Sequence, residues 1–347
     1  MGDGLIRQDV FIPMPDLPRL RLAHLPTPME TMPRLGAALG IQSLWVKRDD
    51  CTGLGLGGNK VRKLEFSLAA AQAADADCVV SGGVLQSNTA RQVAAACAKL
   101  GMECHLGIMH GRPRHPEVQY ATNGNALLDR LYGAVVHAIT WDEERNRGVQ
   151  FIASELLANG RRPFVVPYGA SDKLGAMGYV LAVEEIIRQC PDVSWIVHGS
   201  GSGGTQAGLV AGLLALRHSA RVIGIDVDAQ CARVASDVNR IGYGIAAMLG
   251  TGDLWTDDGI EVLGNWSGPG YGEPDASTEE AILLAARLEG LALDPVYSGK
   301  AMAGLIGLAR QGRFHGGGSV VWIHAGGTPG IFAYPSTIER IATTKVV

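Results

Sequence analysis

Short apolar runs alternate with helix-like segments along most of the chain. Runs of strand length occupy residues 77–81, 103–108, 163–168, 193–198, 221–228 and 319–324. Between and after these runs, the pattern of apolar positions predicts helices over residues 88–100, 174–189, 205–216, 278–288 and 301–311. This alternation predicts an α/β fold with mostly parallel, twisted sheets that are covered by helices on both faces.

The chain has 347 residues, enough for two domains of ordinary size. We expect a smaller α/β domain over residues 63–175. The larger α/β domain would then combine residues 1–62 with residues 176–347 and would be discontinuous. The sequence shows no internal repeat and no low-complexity tract that would suggest a different organisation.

Composition and charge exclude several classes of function. Hydrophobic residues make up 47% of the chain and charged residues 18%, which excludes a disordered protein. A net charge of −4 provides no strongly basic face for nucleic acid. No apolar run is long enough for a membrane helix, and residues 1–15 lack the pattern of a signal peptide. Six scattered cysteines and nine histidines without metal spacing predict a cytoplasmic protein with neither disulfides nor a metal site.

Glycine is unusually frequent, with 47 residues, and three glycine-rich segments contain candidate chemistry. In the first, Gly57-Gly58-Asn59 precedes Lys60, and Val61 and Leu64 begin a helical pattern. Backbone N–H groups and the positive end of a helix lower the pKa of a lysine placed there. A partly neutral amine can form a Schiff base with an aldehyde. The alternative is an ordinary surface lysine in a first helical turn.

The second segment runs from Ser81 to Thr89 and lies between a predicted strand and a predicted helix. Ser87, Asn88 or Thr89 would serve as the helix N-cap. The same three polar groups at a helix N-terminus would also bind a carboxylate or a phosphate. The residues themselves leave both interpretations open.

The third segment, GSGSGGT at residues 199–205, follows a predicted strand and precedes a predicted helix. Its glycines and hydroxyl groups favour a loop whose N–H groups converge on an anion. Gly199, Gly201 and Gly204 also satisfy the G-x-G-x-x-G pattern, and Asp226 and Asp228 follow at the end of the next strand. A dinucleotide-binding fold places its ribose-binding acid at such a position. Taken alone, this segment favours a nicotinamide-dependent oxidoreductase.

Considered together, the segments resemble a known family. The relevant sequences are GGNKVRKLEF, GGVLQSNTARQVAAACAKLG, GSGSGGTQAG, GPGYG and DPVYSGKAMAGL. They resemble the pyridoxal-phosphate enzymes of fold type II, and within these the family of D-cysteine desulfhydrase and aminocyclopropane-carboxylate deaminase. The resemblance spans residues 24–335. Overall similarity, including QSNTARQVAAACAKLGMECHL, is greatest to the L-cysteate sulfo-lyases.

The resemblance implies pyridoxal 5'-phosphate as cofactor, bound by the larger domain in a cleft between the two domains. Lys60 would bind the cofactor covalently and later move the Cα proton. Asn88 would donate a hydrogen bond to the ring hydroxyl of the cofactor, and Tyr271 and Tyr297 would face the reacting centre. The phosphate would be held by Ser200, Gly201, Ser202, Gly203, Gly204 and Thr205. The substrate carboxylate would be held by Ser87, Asn88 and Thr89.

Two positions depart from the family pattern at the expected partner of the pyridine nitrogen. The deaminases have a glutamate where this chain has Ser298, which argues against opening of a cyclopropane ring. The desulfhydrases have a threonine where this chain has Ala325. Ser298 or Thr328 would then replace it, and we expect the nitrogen to remain unprotonated.

The resemblance thus predicts a carbon–sulfur lyase that converts L-cysteate to pyruvate, sulfite and ammonia. D-cysteine desulfhydrase is the first alternative, and aminocyclopropane-carboxylate deaminase the second. Tyrosine hydroxyls or backbone amides would bind the sulfonate, with Tyr168 a candidate whose alternative is a packed loop aromatic. The basic segment at residues 112–115, RPRH, is expected to be solvated. The family also implies a homodimer.

Overall fold

The computed structural model describes residues 10–142 and 144–344. The absence of a signal peptide was inferred partly from residues 1–9, which lie outside this range. In the described residues the strands are β1 (Met29–Thr31), β2 (Leu44–Lys47), β3 (Cys78–Val84), β4 (Glu103–His110), β5 (Val135–Thr140), β6 (Pro163–Val165), β7 (Val193–Ser200), β8 (Arg221–Asp226), β9 (Glu261–Leu263) and β10 (Ser319–Ile323).

Helices connect most of these strands. They are α1 (Pro33–Leu39), α2 (Lys60–Ala73), α3 (Asn88–Leu100), α4 (Gly124–Leu131), α5 (Arg147–Ala158), α6 (Lys173–Gln189), α7 (Gly204–Ala215), α8 (Cys231–Leu249), α9 (Ala276–Glu289), α10 (Ser298–Arg310) and α11 (Pro335–Thr343). Within the described part of the chain, no helix combines the length and apolarity needed to cross a membrane.

The strands form two sheets. The larger has the order β1-β2-β10-β7-β8-β9, and the smaller has the order β5-β4-β3-β6. Neighbouring strands are parallel, except that β1 is antiparallel to β2. The predicted α/β fold with mostly parallel sheets is therefore confirmed. Strands of the smaller sheet all fall within residues 78–165, and the larger sheet takes strands from both sides of that segment. The domain bounds themselves stay a prediction.

Apolar side chains fill the space on both faces of each sheet. In the larger sheet, Trp322 packs with residues of α9 and α10, whereas Ile323 packs with α6 and α7 on the opposite face. In the smaller sheet, Val79 packs towards α2 and α3, and Val80 packs against Val149 of α5. Successive residues of one strand point to opposite faces, so both faces of a covered sheet need apolar residues. This explains the continuous apolar runs in the sequence.

Several predicted boundaries were wrong for local reasons. The strand predicted over residues 77–81 continues to Val84, because Gly82 and Gly83 keep pairing with β4; a Cβ at Gly82 would be 2.7 Å from the Gly107 oxygen. The glycines inside β3 therefore allow the backbones of β3 and β4 to approach closely. The strand predicted over residues 163–168 ends at Val165, because a 3₁₀ turn begins at Tyr168 and Gly169 has a φ of 71°. The apolar pattern also did not predict β1, β2, β5, β9, α1, α4, α5, α8 and α11.

The loops that follow β3, β7, β8 and β10 meet at the carboxyl ends of the two sheets. Parallel strands all end at one edge, and the loops at that edge form the usual ligand crevice of an open α/β sheet. These loops contain Ser87, Ser202, Asp228 and Ala325, which all line one cleft.

Candidate active site

The cleft brings together most of the residues that the sequence singled out. Its polar and aromatic side chains are Asn59, Lys60, Ser87, Asn88, Thr89, Arg145, Tyr168, Ser202, Asp228, Tyr271, Tyr297 and Ser298. Thr328, the other candidate partner for the pyridine nitrogen, does not line the cleft; its hydroxyl is directed to the Ala292 oxygen.

Lys60 is the first residue of α2 and lies partly buried in the cleft. Burial lowers the pKa of its amine to about 8. The position at a helix start predicted a lowered pKa, and in the structure desolvation is its largest cause. The preceding loop needs glycine, because a Cβ at Gly57, which has a φ of 71°, would be 1.8 Å from the Asp50 oxygen. The alternative of an ordinary surface lysine is wrong.

A second lysine, which the sequence analysis missed, lies one helical turn after Lys60. Lys63 is fully buried, and its Nζ donates to the Gly169 oxygen at 3.2 Å and to Ser171 Oγ at 3.0 Å. Burial and the neighbouring Lys60 lower the pKa of Lys63 well below its usual value. A Cβ added at Gly204 would be 2.9 Å from Lys63 Nζ, so this amine lies against the third glycine-rich loop. The i, i+3 spacing in GGNKVRK was the available signal.

The polar N-terminus of α3 is the second predicted site. Ser87 is its N-cap, and Ser87 Oγ accepts the Ala90 N–H at 3.1 Å. The hydroxyl proton of Ser87 is therefore free to be donated. The N–H groups at the start of a helix have no intrahelical acceptor. Ser87, Asn88 and Thr89 all line the cleft, so capping and anion binding are compatible here.

The amide of Asn88 has a fixed orientation. Its Oδ1 accepts from Asn125 Nδ2 at 3.0 Å and from Arg91 Nη1 at 3.4 Å. The carbonyl side of the amide is therefore used inside the protein, and the NH₂ group remains as the donor. Asn125 was not predicted, because it reaches Asn88 from α4, whereas the i, i+3 spacing of Asn88 and Arg91 in α3 was an available signal.

The third glycine-rich loop connects β7 with α7. Gly201 and Ser202 line the cleft, whereas Ser200, Gly203, Gly204 and Thr205 lie around them. Ser200 Oγ is buried with no hydrogen-bond partner among the described residues. Gly203 has a φ of 78°, a conformation that favours glycine. The loop therefore presents an unpaired buried hydroxyl and the start of a helix at one end of the cleft.

Tyr271 and Tyr297 form a pair in the cleft. Their hydroxyl groups are in hydrogen-bond contact, and their rings are T-shaped with centroids 5.6 Å apart. Burial raises the pKa of both well above the usual value. Both phenols are therefore protonated near neutral pH and act as hydrogen-bond donors or acceptors, not as bases. The alternative that they are aromatic residues with hydroxyls in bulk solvent is wrong.

Lys300, also missed by the sequence analysis, holds the loop that carries Tyr271. Its Nζ donates to the oxygens of Ser267 at 2.6 Å, Gly270 at 2.6 Å and Val227 at 3.2 Å. Lys300 is buried in α10, one turn after Tyr297. One amine thus fixes the loop before Tyr271 and the loop before Asp228.

Arg112 and Arg145 share one carboxylate at the cleft wall. Arg145 Nη2 donates to Asp228 Oδ2 at 2.6 Å, and Arg112 Nη1 donates to Asp228 Oδ1 at 3.0 Å. Arg112 also stacks on Trp141, with its guanidinium 4.2 Å from the ring centroid. The expectation that residues 112–115 form a merely solvated loop is wrong for Arg112, because a buried acid on another loop binds it.

Asp226, the acid that suggested a dinucleotide-binding site, accepts hydrogen bonds within a turn. Asp226 is buried, and its carboxylate accepts the backbone N–H groups of Asp228 and Gln230. These bonds fix the turn before α8. The carboxylate is therefore used within the protein, and a ribose-binding role has no support from its contacts.

Residues 20–326 match the family described as pyridoxal-phosphate dependent enzyme. The chain is 42% identical over 320 residues to a D-cysteine desulfhydrase of Salmonella typhi, covering 91% of this chain and 96% of that protein.

The chain belongs to the pyridoxal-phosphate-dependent enzyme family.

Solved structures agree with this assignment. A crystal structure of an ACC deaminase homologue is 34% identical, with a TM-score of 0.85 over 94% of this chain and 97% of that one. The processed form of threonine deaminase isoform 2 from Solanum lycopersicum shares the fold alone, at 16% identity and a TM-score of 0.64, with 92% and 88% covered. The predicted fold type II and the predicted cofactor, pyridoxal phosphate, are confirmed. A nicotinamide cofactor is not that of this family.

The residues of the cleft fit this cofactor. The aldehyde requires an amine of lowered pKa, which Lys60 provides. The phosphate requires convergent donors, and the buried unpaired Ser200 hydroxyl and the start of α7 lie together at one end of the cleft. Lys63 lies against the same loop. The fit therefore rests on the amine, the donor loop and the donor side of Asn88.

Proposed function

We propose that this pyridoxal-phosphate-dependent enzyme is a carbon–sulfur lyase that removes a sulfur substituent from Cβ of a three-carbon amino acid, with L-cysteate as its substrate. The observation that carries the elimination chemistry is the presence of Lys60, the polar start of α3 and the Tyr271–Tyr297 pair around one cleft. Pyridoxal phosphate, when bound, supplies a sink for the electron pair released at the substrate Cα.

Lys60 is proposed to hold the cofactor and to carry the proton taken from Cα. Its lowered pKa suits both tasks, because an amine must be neutral to attack an aldehyde or to accept a proton near neutral pH. Lys63 is fully buried, and burial and the neighbouring Lys60 lower its pKa well below the usual value. Lys63 is proposed to contact the cofactor phosphate at the glycine-rich loop.

The start of α3 is proposed to orient the substrate. Ser87 donates its hydroxyl proton, and the first N–H groups of α3 face the carboxylate from the positive end of the helix. Asn88 offers the NH₂ side of its amide to the ring hydroxyl of the cofactor. Rigid placement of the substrate at Cα is the contribution that such groups make to the rate.

The two tyrosines are proposed to assist departure of the sulfur group. The Cα–H bond breaks with its proton taken by Lys60, and the Cβ–S bond then breaks with its electron pair leaving on sulfur. Addition of water to the remaining three-carbon fragment gives pyruvate and ammonia. Both phenols keep their protons. One of them is proposed to donate a hydrogen bond to the leaving group, and the other stays hydrogen-bonded to the first phenol. For L-cysteate the leaving group is sulfite.

D-cysteine is the second candidate substrate. It is supported by the name of the Salmonella typhi relative, D-cysteine desulfhydrase, at 42% identity. L-cysteate is supported by the overall sequence resemblance and by Arg145 of the cleft lining, which shares Asp228 with Arg112. Aminocyclopropane carboxylate has the name of the ACC deaminase homologue in its favour, but Ser298 takes the place of the expected glutamate.

One assay tests the proposal and separates these substrates. The purified holoenzyme is incubated with L-cysteate, D-cysteine or aminocyclopropane carboxylate, and sulfite, sulfide and the keto acid are measured. Sulfite and pyruvate from L-cysteate are expected, and Lys60→Ala should abolish both products and the near-visible absorption of the bound cofactor. Sulfide from D-cysteine alone would transfer the proposal to the second candidate. Release of no pyruvate from either sulfur substrate would refute the lyase activity.

We also propose a cytoplasmic homodimer, which the family resemblance supports. Light scattering on the purified protein measures the assembly directly. A mass near 36.5 kDa, that of one chain, would contradict the dimer.

A further inference from the structure

The cleft wall beside the glycine-rich loop contains a buried arginine that has no role in the proposed bond-breaking steps. Arg145 lies just before α5, and its side chain is only 5% exposed. Its Nη1 donates to the Gly201 oxygen at 2.9 Å and its Nη2 to Asp228 Oδ2 at 2.6 Å. Its Nε is buried with no hydrogen-bond partner among the described residues. A guanidinium has five N–H donors, so this one retains unused capacity.

The charge around Arg145 is not balanced by its immediate partner. Asp228 is 3% exposed and is shared between Arg145 and Arg112, of which Arg112 is 30% exposed. These three side chains together carry one net positive charge, and Asp237 is a further acid near Arg145. Arg112 is partly solvated, whereas the buried charge of Arg145 is costly unless a counter-charge joins it. The imbalance at the edge of a ligand cleft favours an anionic ligand.

Aromatic residues hold both guanidinium groups in place. Arg145 lies over the ring of Tyr168, 4.8 Å from the centroid, and Arg112 lies over Trp141. Tyr168 lines the cleft, and its backbone N–H donates to Asn146 Oδ1 at 2.8 Å. The side chains are thus arranged before any ligand arrives, which lowers the entropic cost of binding. A planar, fixed guanidinium matches two oxygens of a carboxylate, phosphate or sulfonate.

We propose that Arg145, with Arg112 and Asp228, forms a subsite for an anionic group on the substrate Cβ. This subsite selects a β-sulfonate amino acid over a β-thiol amino acid. It rests on the proposed lyase function, and it assigns the sulfonate to arginine side chains where the sequence had suggested tyrosine hydroxyls or backbone amides. Tyr168 supports the arginine through its ring face.

The alternative role for Arg145 is to bind the cofactor phosphate, because its Nη1 donates to Gly201 of the glycine-rich loop. The two roles predict different kinetics. A substrate subsite changes the KM of the sulfonate substrate alone. A phosphate contact changes the affinity for pyridoxal phosphate and affects every substrate equally.

The test compares Arg145→Gln and Arg145→Lys with Arg147→Gln in the holoenzyme. Arg147 is a matched control, because it is 62% exposed on the same segment and pairs with Asp142 and Glu144. Arg145→Gln should raise the KM for L-cysteate about 10- to 100-fold, the usual range for losing hydrogen bonds to a charged group. Its kcat/KM for D-cysteine should stay within about threefold of wild type. Arg145→Lys should recover part of the loss, and Arg147→Gln should match wild type.

A second measurement needs no turnover. Thermal unfolding of the holoenzyme is followed with 3-sulfopropionate or with 3-mercaptopropionate, analogues without an amino group. Stabilisation by the sulfonate alone, lost in Arg145→Gln, is expected. The subsite would be overturned if Arg145→Gln lowered kcat/KM equally for L-cysteate and D-cysteine, or if a fall in cofactor affinity explained both losses. If D-cysteine is cleaved while 3-sulfopropionate fails to bind, the subsite is wrong and the lyase function stands. If no pyruvate forms but 3-sulfopropionate still binds through Arg145, the lyase function is wrong and the subsite stands.

Discussion

Ser298 Oγ donates to Asp294 Oδ1 at 2.6 Å, and the Asp294 N–H donates back to Ser298 Oγ at 2.8 Å. The same carboxylate accepts the N–H groups of Val296, Tyr297 and Ser298 and thereby caps α10. Burial raises the pKa of Asp294. Ser298 donates its proton to Asp294, so a hydrogen bond from Ser298 to the pyridine nitrogen requires its hydroxyl to rotate away from Asp294. The structure thus places a buried acid one hydrogen bond behind the residue that replaces the family glutamate.

Replacing Ser298 by Ala should weaken cofactor binding without unfolding α10, because Asp294 still caps the backbone. We expect about a threefold loss of affinity for pyridoxal phosphate, because the lost hydrogen bond joins two neutral groups. Fluorescence titration of the apoenzyme with the cofactor measures the affinity. Ser298→Thr retains the hydroxyl and serves as the control; equal affinity of Ser298→Ala and wild type would show that Ser298 has no role in binding.

Reconstitution of the apoenzyme should depend on pH through Lys60. Its pKa is lowered to about 8 by burial, so the amine is mostly protonated below this pH and neutral above it. Because only the neutral amine reacts with an aldehyde, the rate of cofactor attachment should rise with pH and level off above about pH 8. Stopped-flow absorbance measures this rate. A rate that still rises steeply towards pH 10 would indicate an ordinary lysine.

The Tyr271–Tyr297 pair should act in catalysis more than in binding. Tyr271→Phe and Tyr297→Phe remove one hydroxyl each and keep the packed rings. We expect kcat to fall about 100-fold for the phenol that donates to the leaving group, at the lower end of the range for general acid catalysis. KM should change little. Steady-state kinetics on each variant identify the donor, and unchanged kcat in both would exclude this role.

Lys300 should position the loop that carries Tyr271. Lys300→Met leaves three carbonyl oxygens without their donor, so the free energy of unfolding should fall by about 3 kcal/mol. Urea unfolding measures this loss, and Lys300→Arg, which keeps the charge and donors, is the comparison. Burial lowers the pKa of Lys300 to about 8. Between pH 8 and about 10.4 the unfolded chain keeps the proton that the folded chain has lost, so this group makes stability rise with pH there.

A buried ion pair next to the site gives a test of the scaffold. Arg62 and Asp49 are each 1% exposed and pair at 2.8 Å, and Arg62 also pairs with Glu185. Arg62→Met leaves both carboxylates without this partner and should cost about 3–5 kcal/mol of stability. Although burial alone would raise the pKa of Asp49, Arg62 and its other partners lower it. Stability from this pair is therefore present above the unfolded pKa of Asp and lost as the pH falls through the folded one.

The sequence alone determined the fold class, the cofactor and the three glycine-rich segments. Strands and helices repeat a local pattern of apolar residues, and the helix predicted over residues 88–100 has those bounds because Ser87 and Gly101 cap it locally. Lys60, Ser87, Asn88, Tyr271 and Tyr297 all line the cleft. These residues could be identified from the sequence because each lies in a short contiguous segment that resembles the family.

The tertiary structure decided which partner each of these groups receives. Arg145 and Asp228 are 83 residues apart, and Lys300 reaches carbonyl groups that lie 30 to 73 residues earlier in the chain. No local pattern of residues encodes such pairs, because they form only when loops from separate strands meet at one edge of the two sheets. For the same reason, the lowered pKa of Lys60 has burial as its largest cause, and burial is a property of the folded chain.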